Sequence, residues 1–167
     1  MIHIRDMNKS DINKIRALAT KTWKATYTPQ IPDDIQKKVI RDAYSTQEMN
    51  RRFRLSINLV AEEDGVIVGY AFLSREKGAE HNAYLESLYV DPDCQGKGIG
   101  KSLLYRGLER FNHPDYCRLI VYKGNSSIHF YYKEGFQQLK ERKGDFFGHP
   151  VVLIEMKKQI APKITGQ

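Results

Sequence analysis

"QGKGIGKS", residues 95–102, lies between an apolar run, "AYLESLYV" (83–90), and an amphipathic one carrying Leu103, Leu104, Leu108 and Phe111. Three glycines and two lysines at a strand-to-helix junction make a phosphate cradle. Glycine lets the backbone approach closely, and the leading N–H groups of a helix, with its dipole, favour negative charge. Spacing decides whose phosphate it is. The dinucleotide fingerprint GxGxxG needs a glycine where Lys101 stands, and no second βα unit supplies a ribose-binding acid. The triphosphate loop GxxxxGK[ST] is matched by Gly100, Lys101 and Ser102 but has Gln95 in place of its first glycine. Too little chain remains after it to build the parallel units of such a core.

Working outward, "IHIR" (2–5) alternates as a short strand, and Asn8 with Asp11 has the spacing of a capping box. Ile12, Ile15, Leu18, Ala19, Thr22, Trp23 and Tyr27 then recur at helical spacing, stopped by Pro29 and Pro32. A second helix follows Asp33 and Asp34, and Thr46 caps a third short turn through Met49 and Phe53. The period then changes. "INLVAEE" (57–63) and "VIVGYAFLS" (66–74) read as a hairpin, "REKGAEHN" (75–82) as a polar loop, and 83–90 as a strand. "CRLIVYK" (117–123) is a strand and "NSSIHFYYKEG" (125–135) a helix closed by Gly135. Two strands around "GDFFGHP" end the domain, and residues 158–167 read as a frayed tail. The pattern is one mixed α/β domain, helices early and a hairpin at each end.

Composition narrows the function classes. The chain has 167 residues and a formal charge of +7, so an anionic partner is favoured. Its basic residues are mostly interleaved with acids and lack exposed aromatics between them, which argues against nucleic acid. No apolar run approaches the roughly 20 residues of a membrane span, and the N-terminus lacks a signal-peptide core, so the expectation is a cytoplasmic protein with no membrane partner. Cys94 and Cys117 form no metal or disulfide pattern and are read as incidental, although Cys94 abuts the glycine loop.

One loop pattern fits in full: Q/R-x-x-G-x-G/A, with Gln95, Gly98 and Gly100. "LESLYVDPDCQGKGIGKSLL" resembles the strand, acetyl-CoA loop and helix of the GNAT superfamily of N-acetyltransferases. "NSSIHFYYKEGF" resembles that family's later FYxxxGF helix, with Phe130, Tyr131, Gly135 and Phe136 in place. The order of elements over residues 1–157 agrees. The resemblance implies a single domain over 1–157 with a mixed, mostly antiparallel sheet of about six to seven strands and about four flanking helices. It also implies acetyl-CoA as cosubstrate, no metal, and acetyl transfer to a primary amine by direct attack in a ternary complex. Small amines, polyamines and protein amino groups all remain open as acceptors; "TWKATY" and "AYSTQEM" faintly resemble the polyamine-acetylating branch. Dimers are common among such proteins, so a homodimer is allowed. The rival class is a catalytically silent acyl-CoA-binding sensor.

Residue roles come from the resemblance and from chemistry. Gln95, Gly96, Lys97, Gly98, Ile99, Gly100, Lys101, Ser102 and Asn125 are expected to contact the cofactor. The backbone of Leu88, Tyr89 and Val90 is expected to bind pantetheine and polarise the thioester carbonyl. Strand alternation puts Glu86, Leu88 and Val90 on one face, and a charge there suits a general base, acting directly or through water. His81, in a loop, and Tyr84 are reserves for that role. Tyr131 is the expected acid for the leaving thiolate. Asn125 stands six residues before Tyr131 rather than the family's seven, and counting from it selects Tyr132 instead. Trp23 and Tyr27, with Phe146, Phe147 and His149, are expected to wall the acceptor cleft, core packing being the alternative for the helix pair. Glu86, Glu80 or Asp145 would have to supply any acidic patch for a polycation.

Overall fold

In the computed structural model, residues 1–160 are described. The strands are β1 (Ile2–Asp6), β2 (Ile57–Glu63), β3 (Val66–Glu76), β4 (Ala79–Val90), β5 (Tyr116–Tyr122), β6 (Gln137–Phe146) and β7 (His149–Gln159). The helices are α1 (Ile12–Tyr27), α2 (Asp33–Ala43), α3 (Thr46–Leu55), α4 (Ile99–Leu108) and α5 (Ile128–Lys133). One seven-stranded sheet runs in the order β1-β2-β3-β4-β5-β7-β6. Every neighbouring pair is antiparallel except β4 with β5. The mixed, mostly antiparallel sheet implied by the sequence is present, with five helices in place of about four.

Three differences have local causes. The polar stretch 75–82 is not a loop: it is the far end of the β3–β4 hairpin, turning at Lys77 and Gly78, where Gly78 adopts φ +82°. Its outward residues are polar on both strands, which hides the alternation. The third turn is a full ten-residue helix, and its cap is Ser45, whose Oγ accepts from the Glu48 amide at 3.1 Å, rather than Thr46. At the C-terminus, β7 takes in Lys158 and Gln159, and the Ile160 amide donates to the Asp115 carbonyl at 3.0 Å, so the tail does not begin at 158. The rest of the expected tail, 161–167, lies outside the described residues.

The core occupies both faces of the sheet. On one, Leu103 and Leu104 of α4 pack on Leu73, Leu85, Leu88 and Leu119. Gly107 lets α4 lie directly on β3, since a Cβ there would stand 2.5 Å from Leu73 Cδ1. On the other, Ile15 and Leu18 of α1 and Met49 of α3 meet Val60, Tyr70 and Phe72. Burying each such side chain contributes about 1.5–3 kcal/mol.

Two irregularities in β4 reshape the centre of the sheet. Its register against β3 jumps from Phe72↔Ser87 to Leu73↔Leu85, leaving Glu86 as the extra residue of a β-bulge. Leu85 and Leu88 consequently share the α4 face, while Glu86 faces α3. The expected grouping of Glu86 with Leu88 is thereby corrected: the bulge resets the alternation between them. β4 also pairs with β5 only at Ala83–Leu85, although β5 continues against β7 as far as Tyr122. Beyond Leu85 the parallel strands part.

Candidate active site

The parted strands open into a cleft of about 500 Å³. Its floor is Leu88, Tyr89 and Val90, the half of β4 that has left β5. One wall is the turn from Gln95 to Gly100 with Lys101 at the start of α4; the other is Ser126, Ser127, Phe130 and Tyr131 of the α5 region. Thr22 and Thr26 of α1 close one side.

The turn wall is built from backbone. Gly96 and Gly98 have φ of +84° and +75°, and a Cβ at either would meet nothing within 4 Å. Conformation, rather than crowding by the protein, therefore selects glycine, and the space beside the chain stays open for a ligand. Gly98 is the N-cap of α4 and lends no side chain; the first helical bond runs from the Ser102 amide to the Gly98 carbonyl at 3.0 Å. The amides of Ile99, Gly100 and Lys101 lie ahead of that bond, as an anion at a helix N-terminus requires. An open, amide-lined turn fits a diphosphate. Lys97 and Ser102 are not on the cleft wall: Lys97 reaches Glu63 at 3.3 Å.

The opposite wall carries the phenol. Tyr131 is buried at the cleft, and burial holds its pKa well above that of a free tyrosine. Tyr132 is exposed, and its hydroxyl donates to Gln138 Oε1 at 3.2 Å. The spacing conflict traces to where α5 begins. Asn125 to Ser127 form a turn before the helix: the Asn125 amide donates to the Tyr122 carbonyl at 2.9 Å, and Asn125 Oδ1 accepts from the Ser127 amide at 2.8 Å. Asn125 does not line the cleft. Its Nδ2 donates to the Tyr27 hydroxyl at 2.9 Å, so its amide is engaged within the chain at both ends.

Glu86 is likewise absent from the cleft wall. Arg52 Nε lies 3.4 Å and Arg51 3.5 Å from its Oε1, and the Ser56 hydroxyl donates to Oε2 at 3.4 Å. Arg52 is itself buried, donates to the Ala43 carbonyl and stacks 4.8 Å from the Phe72 ring centre. The cluster ties α3 to the bulge. His81 is on β4, not in a loop, with Nε2 2.9 Å from Asp115 Oδ2, and Tyr84 lies under Arg118.

Trp23 and Tyr27 are not among the residues that line this cleft. Both are buried, with ring centres 4.5 Å apart; Trp23 meets Phe146 at 5.9 Å and Tyr27 meets Tyr122 at 5.3 Å. They join α1 to β6 through Phe146 and to β5 through Tyr122, and Thr22 and Thr26 of the same helix line the cleft. Phe147 is exposed at the hairpin turn, where Asp145 accepts from the Gly148 amide. Thr22 and Thr26 line the cleft without being expected there; an i, i+4 polar pair beside an apolar stripe is their only signal in the sequence. Lys133 and Glu134 are equally unannounced, at the end of the same helix as Tyr131.

Comparison with known proteins agrees with this architecture. The Acetyltransferase (GNAT) family profile matches residues 13–136. The spermidine N(1)-acetyltransferase of Thermoplasma acidophilum is 31% identical over 145 residues, spanning 81% of this chain and 88% of that protein. The peptidyl-lysine N-acetyltransferase YiaC of Escherichia coli is 28% identical over 141 residues, spanning 80% and 82%. The crystal structure of the PaiA N-acetyltransferase from Thermoplasma acidophilum in complex with coenzyme A has a TM-score of 0.78 to this chain, at 27% identity over 96% of this chain and 99% of that one. With the glycine turn, the parted strands and the matched profile together, the chain belongs to the GNAT family of acetyltransferases.

Proposed function

We propose that the chain moves an acetyl group from acetyl-CoA onto a primary amine, a polyamine foremost, by direct attack in a ternary complex. The carrying observation is that the open half of β4 lies between an amide-lined turn and a buried phenol in one cleft. A polyamine acceptor is favoured by the relative named as a spermidine N(1)-acetyltransferase. Other small amines and protein amino groups are the remaining acceptors of the same chemistry.

Acetyl-CoA supplies an acyl carbon already activated as a thioester. The turn from Gly96 to Lys101 holds the diphosphate on main-chain amides. The backbone of Leu88 to Val90, without a β5 partner, is available to the pantetheine arm and the thioester oxygen, where one well-placed N–H contributes about 3 kcal/mol. An acceptor amine with a pKa near 10.4 costs about 4–5 kcal/mol to present as the free base at pH 7. Glu86 takes its proton through water, since the carboxylate is off the cleft. As the nitrogen–carbon bond forms and the carbon–sulfur bond breaks, the Tyr131 phenol gives its proton to sulfur. A phenol is protonated at neutral pH, and burial raises the pKa of this one further, so the proton is in place for this step.

The test is release of free thiol from acetyl-CoA with and without a panel of amines that includes spermidine. Thiol release that depends on the amine supports transfer. Acetyl-CoA binding with no amine accepted supports the sensor instead. Tyr131→Phe is expected to lower kcat about 100-fold while acetyl-CoA affinity is retained, and unchanged turnover would remove Tyr131 from the mechanism.

A further inference from the structure

Helix α5 has six residues, too few to hold its own geometry in isolation. Whatever fixes the turn ahead of it fixes Tyr131. That turn is bolted at Asn125, which is 7% exposed. Its amide is tied to β5 through the Tyr122 carbonyl, its carbonyl accepts from the Ile128 amide at 3.2 Å, and its Oδ1 accepts from the Ser127 amide. Ser127 in turn accepts, through its carbonyl, the Tyr131 amide at 3.0 Å. The remaining contact leaves the turn altogether: Asn125 Nδ2 donates to Tyr27 Oη at 2.9 Å, across 98 positions of sequence, at the last residue of α1. Tyr89, on the open half of β4, packs against the same cluster of side chains as Tyr27.

We infer that Tyr27 and Asn125 are positioning residues that set the Tyr131 phenol against the open half of β4, so that the acceptor-side helix and the acid move as one piece. The inference rests on the acid role proposed for Tyr131. Neither residue lines the cleft described above, and both side chains are buried. Three elements meet at this one knot: α1, whose Thr22 and Thr26 face the cleft, β4, which floors it, and α5, which carries the phenol. The Tyr27 ring packs edge-on against Trp23 and Tyr122, so removing only its hydroxyl leaves that packing in place.

Tyr27→Phe therefore isolates the tie. Its kcat is expected to fall about tenfold, the size of one lost buried hydrogen bond that leaves its partner unsatisfied, with KM for acetyl-CoA within twofold of the parent. The same substitution is then made in a Tyr131→Phe background, where the acid is already gone and the further loss is expected to be under twofold. Asn125→Ala, followed in parallel with its thermal midpoint, is expected to repeat the pattern. A tenfold loss in both backgrounds, an unchanged kcat for Tyr27→Phe, or a change confined to KM would each overturn the brace while leaving Tyr131 as the acid. A Tyr131→Phe enzyme with parental turnover would overturn the acid role and the brace together, and that result is distinct from the other three.

Discussion

The two halves of β4 have the same neighbours in sequence terms and opposite duties. From Ala83 to Leu85 the strand is paired on both sides, to β3 and to β5; past the bulge at Glu86, from Ser87 to Val90, it keeps β3 alone. The closed half is an ordinary buried sheet interior, with Ala83 and Leu85 almost fully covered. The open half shows the cleft one edge and turns its other face to a cluster of phenols. Tyr89 packs 5.6 Å from Tyr70, Tyr44 shares a 2.7 Å hydrogen bond with Tyr70, and Tyr89 also packs against the cluster that holds Tyr27. One bulge and one missing pairing convert a structural strand into a binding one.

The largest expected break in that contrast comes from alkali. Burial pushes the Tyr27 phenol up to about 12 and raises those of Tyr44, Tyr70 and Tyr131 as well. Below pH 10 both folded and unfolded chains keep these protons, so the stability is fully present. Between pH 10 and 12 only the unfolded chain releases the Tyr27 proton, and stability falls by about 1.4 kcal/mol per unit, roughly 3 kcal/mol in all for that one residue. The other buried phenols add to the loss. Denaturant midpoints measured from pH 9 to 12 should fall steeply, with the added phenolate absorbance of the buried tyrosines appearing together with unfolding and not before it.

Next in size is the closed half. Leu85→Ala empties part of the α4 face and should cost about 3 kcal/mol of stability while turnover per folded molecule is kept. Loss of turnover at unchanged stability would mean that the closed half reaches the chemistry. A smaller effect separates two glycines on the turn wall. Gly98→Ala forces a Cβ into a left-handed φ and should cost about 1–2 kcal/mol. Gly100 has an ordinary backbone, and a Cβ there would sit 3.6 Å from Phe130 and 3.7 Å from Val90, so Gly100→Ala should shift stability by no more than about 0.5 kcal/mol. Equal losses at the two positions would show that crowding, not conformation, governs the turn.

The turn wall is legible in the sequence because its constraint is local: glycine, lysine and the apolar spacing after them are all written within one short stretch. The phenol is legible to within one residue, and the start of α5 puts Tyr131, not Tyr132, at the cleft. The open half of β4 is not legible in detail. Alternation assumes an unbroken pleat, and nothing in "LESLYV" announces that Glu86 is an extra residue. Its charge points to catalysis, whereas its partners, Arg51 and Arg52, are encoded more than thirty positions earlier. The burial of Trp23 and Tyr27 away from this cleft is hidden for a related reason. Helical spacing shows that two aromatics share a face, but the hairpin that covers that face lies at the far end of the chain.

The two cysteines differ in a way that furnishes a built-in gauge of occupancy. Cys94 is half-buried on the cleft wall, whereas Cys117 is interior and its thiol is pushed up to about 12 by burial. A mild alkylating reagent should consequently label one site, and saturating acetyl-CoA should slow that labelling. Mass spectrometry of the intact chain would then count filled clefts molecule by molecule, with no engineered tag and no turnover required.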